Sequence, residues 1–266
     1  MNRKCLTVLA LGFAALLYGP ATAGAQPLSS FAVLGGSTVT NTGPTIVTGN
    51  LGVSPGSSVT GFPPGIVVGG SIHAADAVAA GAQTELTTLY NTLASAACNT
   101  YLTGQDLGGL TLTPGVYCFA SSAQLTGTLT LDAQGNPNAV FIFKMGSTLT
   151  TASASSVLLI NSASSCGVFW QVGSSATLGT GTALAGSIVA LTSITLNTGA
   201  SVSGRALARN GAVTLDNNQV TVCSGGPAFP PPVAPVPTLS EWAMIALSVC
   251  LALFGFAALR RRAAYG

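Results

Sequence analysis

Among the polar groups of this sequence, the threonine hydroxyls recur in a regular array. Between Leu110 and Val222, six Thr-Leu pairs recur at a nearly regular spacing, at positions 111–112, 130–131, 148–149, 177–178, 195–196 and 214–215. Successive pairs are 18 or 19 residues apart, except for one gap of 29 residues. Each hydroxyl can donate one hydrogen bond and accept others. An array of this kind offers repeated, uncharged hydrogen bonding along one surface.

The groups that catalysis needs are sparse. His73 is the only histidine, carboxylates are few, and no acid and base are brought together by a motif. A Ser-His-Asp triad therefore has no support, and we expect no enzyme activity. No second histidine and no Cys-x-x-Cys pair accompany His73, so we expect neither a metal nor another cofactor. We interpret His73 as a surface or capping residue.

Charge is low and concentrated at the two ends of the chain. Of the 266 residues only 5% are charged, and the net charge is +2. Five of the eight basic residues lie at the ends: Arg3, Lys4, Arg260, Arg261 and Arg262. The middle of the chain is nearly free of charge and slightly acidic. Nucleic-acid binding needs a basic stripe, and the absence of one excludes this class of partner.

The repeat must be built from short strands. Apolar runs bounded by Gly, Ser and Asn alternate with the Thr-Leu pairs, and this composition favours strands over helices. A period near 18 residues fits three sides of roughly six residues, with turns stacked about 4.8 Å apart. We therefore predict a parallel β-solenoid in which each leucine points inwards and the preceding threonine points outwards.

A second polar column follows the first by three residues. It contains Thr151, Thr180, Thr198 and Asn217, each followed by a small or turn-forming residue. The alternation of side chains along a strand leaves two places open for this column, the flat face or a corner.

Residues 31–72 and 73–98 differ in composition. The first segment is rich in Gly, Thr and Val, with Gly and Pro corners, and is interpreted as further solenoid turns. In the second segment apolar residues recur at steps of three and four, at positions 78, 82, 86, 89, 93 and 97. We predict one helix over about 73–98, packed along one wall of the solenoid.

Four cysteines remain in the exported part of the chain, at Cys98, Cys118, Cys166 and Cys223. Export favours two disulfides, for which three connectivities exist. We favour Cys98–Cys118, which ties the end of the helix to the first Thr-Leu turn, and Cys166–Cys223, which fastens the last turns.

The two ends of the chain carry targeting signals. Residues 1–25 have the charged start, apolar run and small-residue cleavage site of a signal peptide, with Gln26 as the expected mature start. The solenoid domain is expected over 26–223, followed by a Pro/Gly-rich linker at 224–235. Residues 243–259 are apolar and precede three arginines, which predicts a transmembrane helix with a cytoplasmic C-terminal end.

The segment 236–266 resembles the IPTL-type C-terminal sorting signals of Gram-negative bacteria. Its box is Pro237, Thr238, Leu239, Ser240, Glu241 and Trp242, with Val236 where the family usually has Ile. The resemblance implies signal peptidase and an exosortase-type transpeptidase as processing partners. The chain would first be anchored in the membrane and would end at the cell surface, in the envelope or in the medium. The alternative is an ordinary C-terminal anchor.

The body of the chain resembles the bacterial and fungal ice-binding protein family of the discontinuous β-solenoid type. The resemblance rests on stretches such as 31–43, 47–56, 140–144, 168–180 and 204–208. It implies a mainly β fold, namely a three-faced discontinuous parallel β-solenoid with one long helix alongside, in which the N-terminal and C-terminal parts share one stack.

The same resemblance implies an ice-binding site. The family motif is Thr-[Ala/Gly]-x-[Thr/Asn]; Thr42-Gly43-Pro44-Thr45 fits it fully, and the segments that begin at Thr151, Thr180 and Thr198 fit its first two places. The implied ice-binding residues are Thr42, Thr45, Thr151, Thr180, Thr182, Thr198, Ser201 and Asn217.

The expected function is ice binding by an exported monomer, with the ice crystal surface as its partner. A flat, uncharged face of hydroxyl and methyl groups can hold water in an ice-like lattice. The alternative is a cell-surface adhesin or matrix protein that uses the same scaffold without recognising ice.

Overall fold

Short β-branched runs and Gly, Ser and Asn corners alternate along the chain and fold into many short strands. The computed structural model describes residues 26–223. The first strands are β1 (Phe31–Gly35), β2 (Thr38–Thr42), β3 (Ile46–Thr48), β4 (Asn50–Val53), β5 (Ser58–Thr60), β6 (Ile66–Val68) and β7 (Ile72–Ala74), followed by the helix α1 (Ala77–Ser95).

The remaining strands follow the helix. They are β8 (Thr100–Tyr101), β9 (Thr111–Leu112), β10 (Gly115–Phe119), β11 (Ala123–Leu125), β12 (Thr128–Asp132), β13 (Phe141–Met145), β14 (Leu149–Thr151), β15 (Ser156–Ile160), β16 (Val168–Val172), β17 (Ala176–Leu178), β18 (Ala183–Ala190), β19 (Ile194–Leu196), β20 (Ser201–Ala208), β21 (Val213–Asp216) and β22 (Gln219–Thr221). Two short 3-10 helices lie at Leu28–Ser30 and Ser165–Gly167.

The strands form three walls, and all strand pairs are parallel. Face a contains β8, β10, β13, β16, β1, β4 and β7, face c contains β9, β12, β15, β22, β3 and β6, and face b is a separate sheet of seven strands. Face b stacks in the order β11-β14-β17-β19-β21-β2-β5. The other sheet bends into faces a and c, because β18 and β20 each cross the corner between them. Both strands bend at a glycine with positive φ, Gly186 and Gly204. A Cβ at Gly204 would lie 2.1 Å from the carbonyl oxygen of Gly186, so this corner requires glycine.

The stack does not follow the order of the chain. The last C-terminal strands lie directly on the first N-terminal ones: β20 pairs with β1, β21 with β2, and β22 with β3. The N-terminal turns therefore extend the C-terminal stack and form a joint with it. The discontinuous β-solenoid that the sequence predicted is confirmed.

Inward side chains fill the bore of the solenoid. Leu178, Leu196 and Leu215 are almost completely buried in one column of face b. On face a, the rings of Phe143 and Trp170 stack with their centroids 4.2 Å apart. Each buried leucine contributes about 1.5–3 kcal/mol through the hydrophobic effect, so the short strands are stabilised mainly by this continuous core.

Helix α1 covers part of face a and is shorter than predicted. Asp76 is its N-cap: the residue is extended, and its carboxylate accepts a hydrogen bond of 2.8 Å from the backbone N–H of Ala79. His73 therefore lies before the helix, on β7, where its Nδ1 contacts the Asp76 carboxylate at 2.7 Å. The predicted apolar stripe is buried at Ala82, Leu86, Leu89 and Leu93, which pack on the outward apolar residues of face a.

Both favoured disulfides are present. Cys98 joins Cys118, with Cα atoms 5.9 Å apart, and Cys166 joins Cys223, with Cα atoms 5.4 Å apart. The first ties the segment after α1 to β10, and the second ties the 3-10 helix at Ser165–Gly167 to the end of the solenoid.

The targeting segments lie outside the described residues. This applies to the signal peptide at 1–25, the linker at 224–235, the sorting box and the transmembrane helix at 243–259. Within residues 26–223, no helix is both long enough and apolar enough to span a membrane.

Candidate functional site

A ladder of threonines runs the length of face b. The strand register aligns seven outward positions, namely Gln124, Thr150, Thr177, Thr195, Thr214, Thr40 and Thr60. Neighbouring strands in a sheet lie about 4.8 Å apart, so the six threonines form a straight row of hydroxyl and methyl groups. We call this row the central column. It crosses the joint between the two parts of the chain, where Thr214 and Thr40 are neighbours.

A second outward row accompanies the central column, two residues earlier in each strand. This flanking column contains Ser122, Thr148, Ser175, Ser193, Ala212, Thr38 and Ser58. Several of its hydroxyls are fixed by the adjacent turn: Thr148 Oγ1 donates to Ser122 Oγ at 2.8 Å, and Ser193 Oγ accepts from the N–H of Ala212 at 3.2 Å. These bonds limit the rotation of the side chains and keep the face ordered.

The two columns contain no charged residue, and charges begin only at the borders of face b. Asp216 ends strand β21 next to the corner with face c, where its carboxylate accepts a hydrogen bond from Thr198 Oγ1. Asp106 pairs with Gln124 at one end of the stack. Partial burial raises the pKa of Asp106, but hydrogen bonds from Gly108 and Thr126 lower it by more, so the net pKa lies below 3.8.

Four of the predicted ice-binding residues lie at the corner between faces b and c. Thr42, Thr180, Thr198 and Asn217 are exposed where the chain leaves face b. Asn217 has a positive φ of 50°, and Gly43, Gly181 and Gly199 at the same corner of neighbouring turns also have positive φ. Ser201 is half-buried at the start of β20, on face c. The second polar column of the sequence is thus a corner column, apart from Thr151.

The prediction of ice contact is wrong for three residues, because their side chains are buried. Thr45, Thr151 and Thr182 are 0%, 3% and 0% exposed. Their hydroxyls form hydrogen bonds on the inner side of the corner, where buried polar backbone groups need partners. Thr151 and Thr182 share a hydrogen bond of 2.7 Å, and Thr45 Oγ1 accepts from the N–H of Asn218 at 3.0 Å.

Asn218 continues this buried polar column. Its side-chain Nδ2 donates to the carbonyl oxygens of Asn197 at 2.9 Å and Ala200 at 3.0 Å. The corner is therefore held by hydrogen bonds within and between turns. The neighbouring face b is preorganised as a result, which lowers the entropy lost on binding a surface.

The six Thr-Leu pairs do not form the single column that the sequence predicted. Thr111 and Thr130 pair with each other on face c, and Thr148 belongs to the flanking column. Only Thr177, Thr195 and Thr214 stack as expected. The physical reason is that Leu149 is in register with Ala176 and Leu178 with Leu196, so the same dipeptide occupies different ladder positions.

The predicted ice-binding residues include none of the six threonines of the central column. The Thr-Leu repeat predicts Thr177, Thr195 and Thr214 as a column, whereas Thr40, Thr60 and Thr150 are not predicted at all. A shared tripeptide is not sufficient to identify them, because it also occurs at residues 111–113 and 128–130, which overlap strands β9 and β12 of face c. In the central column the tripeptide is Ser, Thr or Ala, followed by an apolar residue and then Thr. It occurs as Thr38-Val-Thr40, Ser58-Val-Thr60, Thr148-Leu-Thr150, Ser175-Ala-Thr177, Ser193-Ile-Thr195 and Ala212-Val-Thr214. In a strand, its first and third residues point outwards and its second points into the core.

The chain matches the Ice-binding-like family over residues 33–221 and the IPTL-CTERM motif over residues 234–262. It is 59% identical over 226 residues to an ice-binding protein of Nostoc sp. (strain HG1), covering 83% of each chain. An ice-binding protein of Colwellia sp. is 31% identical, with 82% of this chain and 92% of that protein covered.

Solved structures give the same result. The structure of an ice binding protein from an Antarctic biological consortium superposes with a TM-score of 0.72 at 45% identity, covering 82% of this chain and 97% of that one. An ice-binding protein from the Antarctic ascomycete Antarctomyces psychrotrophicus also gives a TM-score of 0.72, at 40% identity, with 74% and 97% of the chains covered. With its matching family segment, solenoid topology and threonine-bearing face b, this chain belongs to the Ice-binding-like family.

Proposed function

We propose that this protein binds ice through face b. The observation that carries the proposal is the central column, in which six of seven stacked outward positions are threonine and none is charged. The relatives named ice-binding proteins support the same activity. Binding, and not catalysis, is the function that this surface can perform, because it offers hydroxyl and methyl groups without an acid–base pair.

The mechanism is the ordering of water on a rigid lattice. Each threonine hydroxyl can donate and accept a hydrogen bond, whereas the methyl group beside it offers water neither a donor nor an acceptor. Rows repeating every roughly 4.8 Å impose a regular spacing on the bound water. Charged side chains would orient water differently, and their absence from both columns preserves this order. Bound protein would then curve a growing ice front and slow recrystallisation.

The exposed corner residues would border the ice-contacting area. Thr42, Thr180, Thr198 and Asn217 lie beside the central column and continue its hydroxyl and amide groups around the corner. Ser201 is further away, on face c. We assign the main contact to the central column and a peripheral contact to the corner.

The exported protein would act at the cell surface. The IPTL-CTERM motif supports export and handling by an exosortase-type transpeptidase after signal peptidase. The solenoid ends at Cys223, next to Val222, whose N–H bonds to the carbonyl oxygen of Thr48 at 3.1 Å. This places Cys223 at the corner between faces c and a, across the triangular section from face b. If the protein is anchored through its C-terminal side, face b stays accessible to ice. A single monomer would be enough to bind ice, because face b lies within one chain.

The decisive experiment compares two substitutions in residues 26–223. The solved relative from the Antarctic ascomycete is 97% covered by only 74% of this chain, so a domain of about the size of the solenoid is expected to fold without the C-terminal segment. Thr195→Tyr places a bulky ring in the middle of the central column. Thr221→Tyr is the matched control, because Thr221 is equally an outward strand residue but lies on face c. Thermal hysteresis and partition into ice would be measured for both.

We expect Thr195→Tyr to lose most of the activity and Thr221→Tyr to retain it, with unchanged circular dichroism in each. Equal activity of both variants would contradict the assignment to face b. Exclusion of the folded wild-type domain from ice would instead support the adhesin or matrix-protein alternative.

A further inference from the structure

One outward column of face a changes from apolar to polar along the stack. The strand register aligns Tyr101, Cys118, Lys144, Gln171, Val189, Leu207 and Leu34. Helix α1 packs on Val189, Leu207 and Leu34, which form a small core with its buried leucines. The polar half, Tyr101 to Gln171, lies beside the C-terminal end of the helix.

The polar half lines a groove. Its cavity of about 430 Å³ is bordered by Tyr90, Tyr101, Phe119, Lys144, Gln171 and the Cys98–Cys118 disulfide. Pockets for small ligands commonly have volumes of about 300–1,000 Å³. The groove is separate from the two columns of face b, so the proposed ice contact does not account for it.

Gln171 is the informative residue of the groove. Its side chain is only 5% exposed, yet its amide makes no hydrogen bond with any residue in 26–223. Neither amide atom is fully enclosed, so the group reaches the groove. A buried amide of this kind is suited to donate to and accept from a ligand's hydroxyl groups.

Lys144 supplies a cation at the same place. Its Nζ donates to the carbonyl oxygen of Ala96 at 2.6 Å, which leaves two of its three donors free. Within residues 26–223, no carboxylate lies within 4 Å of it, and no Asp or Glu lines the groove. The charge of the groove therefore favours an anionic ligand.

Tyr101 offers a flat apolar surface. It is 74% exposed on the edge strand β8, whereas the ring of Tyr90 is already in contact with the Arg209 guanidinium, 4.9 Å from its centroid. An exposed tyrosine can stack on the C–H face of a ring while its hydroxyl stays in water.

We propose that this groove binds an acidic saccharide, one unit of an anionic polysaccharide. The carboxylate of the sugar would contact Lys144, its hydroxyl groups would bond to Gln171, and its C–H face would stack on Tyr101. The site is independent of ice binding. With this groove, the protein could bind a polysaccharide matrix through face a and ice through face b.

The test is calorimetric titration of residues 26–223 with tetragalacturonate and tetramannuronate, using methyl-esterified tetragalacturonate as the uncharged match. We expect saturable binding of at least one acidic oligomer and binding of the ester about tenfold weaker. Tyr101→Ala, Lys144→Gln and Gln171→Leu should each weaken binding by about fivefold or more, since each removes one contact.

Two controls keep the result interpretable. Gln171→Leu should leave the melting temperature unchanged or raise it, because replacing an unpartnered buried amide by an apolar group is neutral or stabilising. Thr195→Tyr should bind the saccharide like the wild type, so a failure of ice binding would not affect this test. Absence of saturable binding to both acidic oligomers, equal binding of the ester, or wild-type affinity in all three groove variants would overturn the proposal.

Discussion

Threonine occupies both outward and inward positions of this solenoid, and its place in the strand decides what the hydroxyl does. On the central column it faces water, as at Thr195. At the inner side of the corner it is enclosed and bonds to neighbouring turns, as Thr182 does with Thr151 and with the carbonyl oxygen of Ala152. The same residue type therefore forms part of the exposed face in one case and stabilises the corner in the other.

This distinction predicts effects of different size on stability for two nearby threonines. Thr182→Val removes a buried hydroxyl and leaves its partners unsatisfied, so we expect a loss of about 1–3 kcal/mol in the free energy of unfolding. Thr180→Val, two residues earlier and exposed, should change stability by less than about 0.5 kcal/mol. Urea denaturation of both variants would test this. Equal stability of the two would mean that the buried hydroxyl makes no net contribution.

At the scale of the elements, helix α1 depends on its N-cap. Burial is the largest single influence and raises the pKa of Asp76, but the hydrogen bonds from Ala79, His73 and Val78 and the charge of His73 together lower it by more, so the net pKa lies below 3.8. A carboxylate with a depressed pKa stabilises the folded state above its unfolded pKa, and this contribution is lost as the pH falls through the folded value.

Asp76→Ala should therefore cost about 1 kcal/mol of stability at neutral pH, as the loss of an N-cap usually does. The difference between wild type and variant should shrink as the pH falls below about 4. Urea titrations at pH 7 and pH 3 would measure it, with Asn91→Ala, an exposed substitution inside the helix, as control. A cost that persists undiminished at pH 3 would contradict the role of the charged carboxylate.

At the scale of the molecule, stability depends on the joint where the last turns of the chain lie on the first. Strand β22 has only three residues, yet it lies inside the stack between β20 and β3. The Cys166–Cys223 disulfide fastens the chain two residues after this strand. It spans 57 residues, whereas Cys98–Cys118 spans 20 and lies near the opposite end of the stack.

Removing the disulfide at the joint should be the more costly change. The entropy of loop closure predicts a loss of about 4 kcal/mol for Cys166→Ala/Cys223→Ala and about 3 kcal/mol for Cys98→Ala/Cys118→Ala. The first variant also loosens β22, a strand that connects both parts of the solenoid. We therefore expect the stability losses of the two variants to differ by more than loop-closure entropy alone predicts. Chemical denaturation of the two double variants would compare them. A larger loss in the Cys98–Cys118 variant would contradict the importance of the joint.

Much of this architecture could be predicted from local pattern and composition. The period near 18 residues predicted the solenoid, and the apolar stripe at positions 78, 82, 86, 89, 93 and 97 predicted the helix, although position 97 lies beyond its end at Ser95. The four cysteines of the body led to the two observed pairs. These features depend on periodicity and on the conformational preferences of single residues, which a sequence displays directly.

Tertiary structure alone determined which threonines share a surface. Thr40 and Thr214 are 174 residues apart and become neighbours only because the N-terminal turns stack on the C-terminal ones. Side chains alternate along a strand, so Thr151 is buried although Thr150 is exposed; which of the two alternating sets faces outwards is fixed by the ladder register. The sequence by itself determined that the chain repeats Thr on short parallel strands, and the register across turns determined which of them form the face.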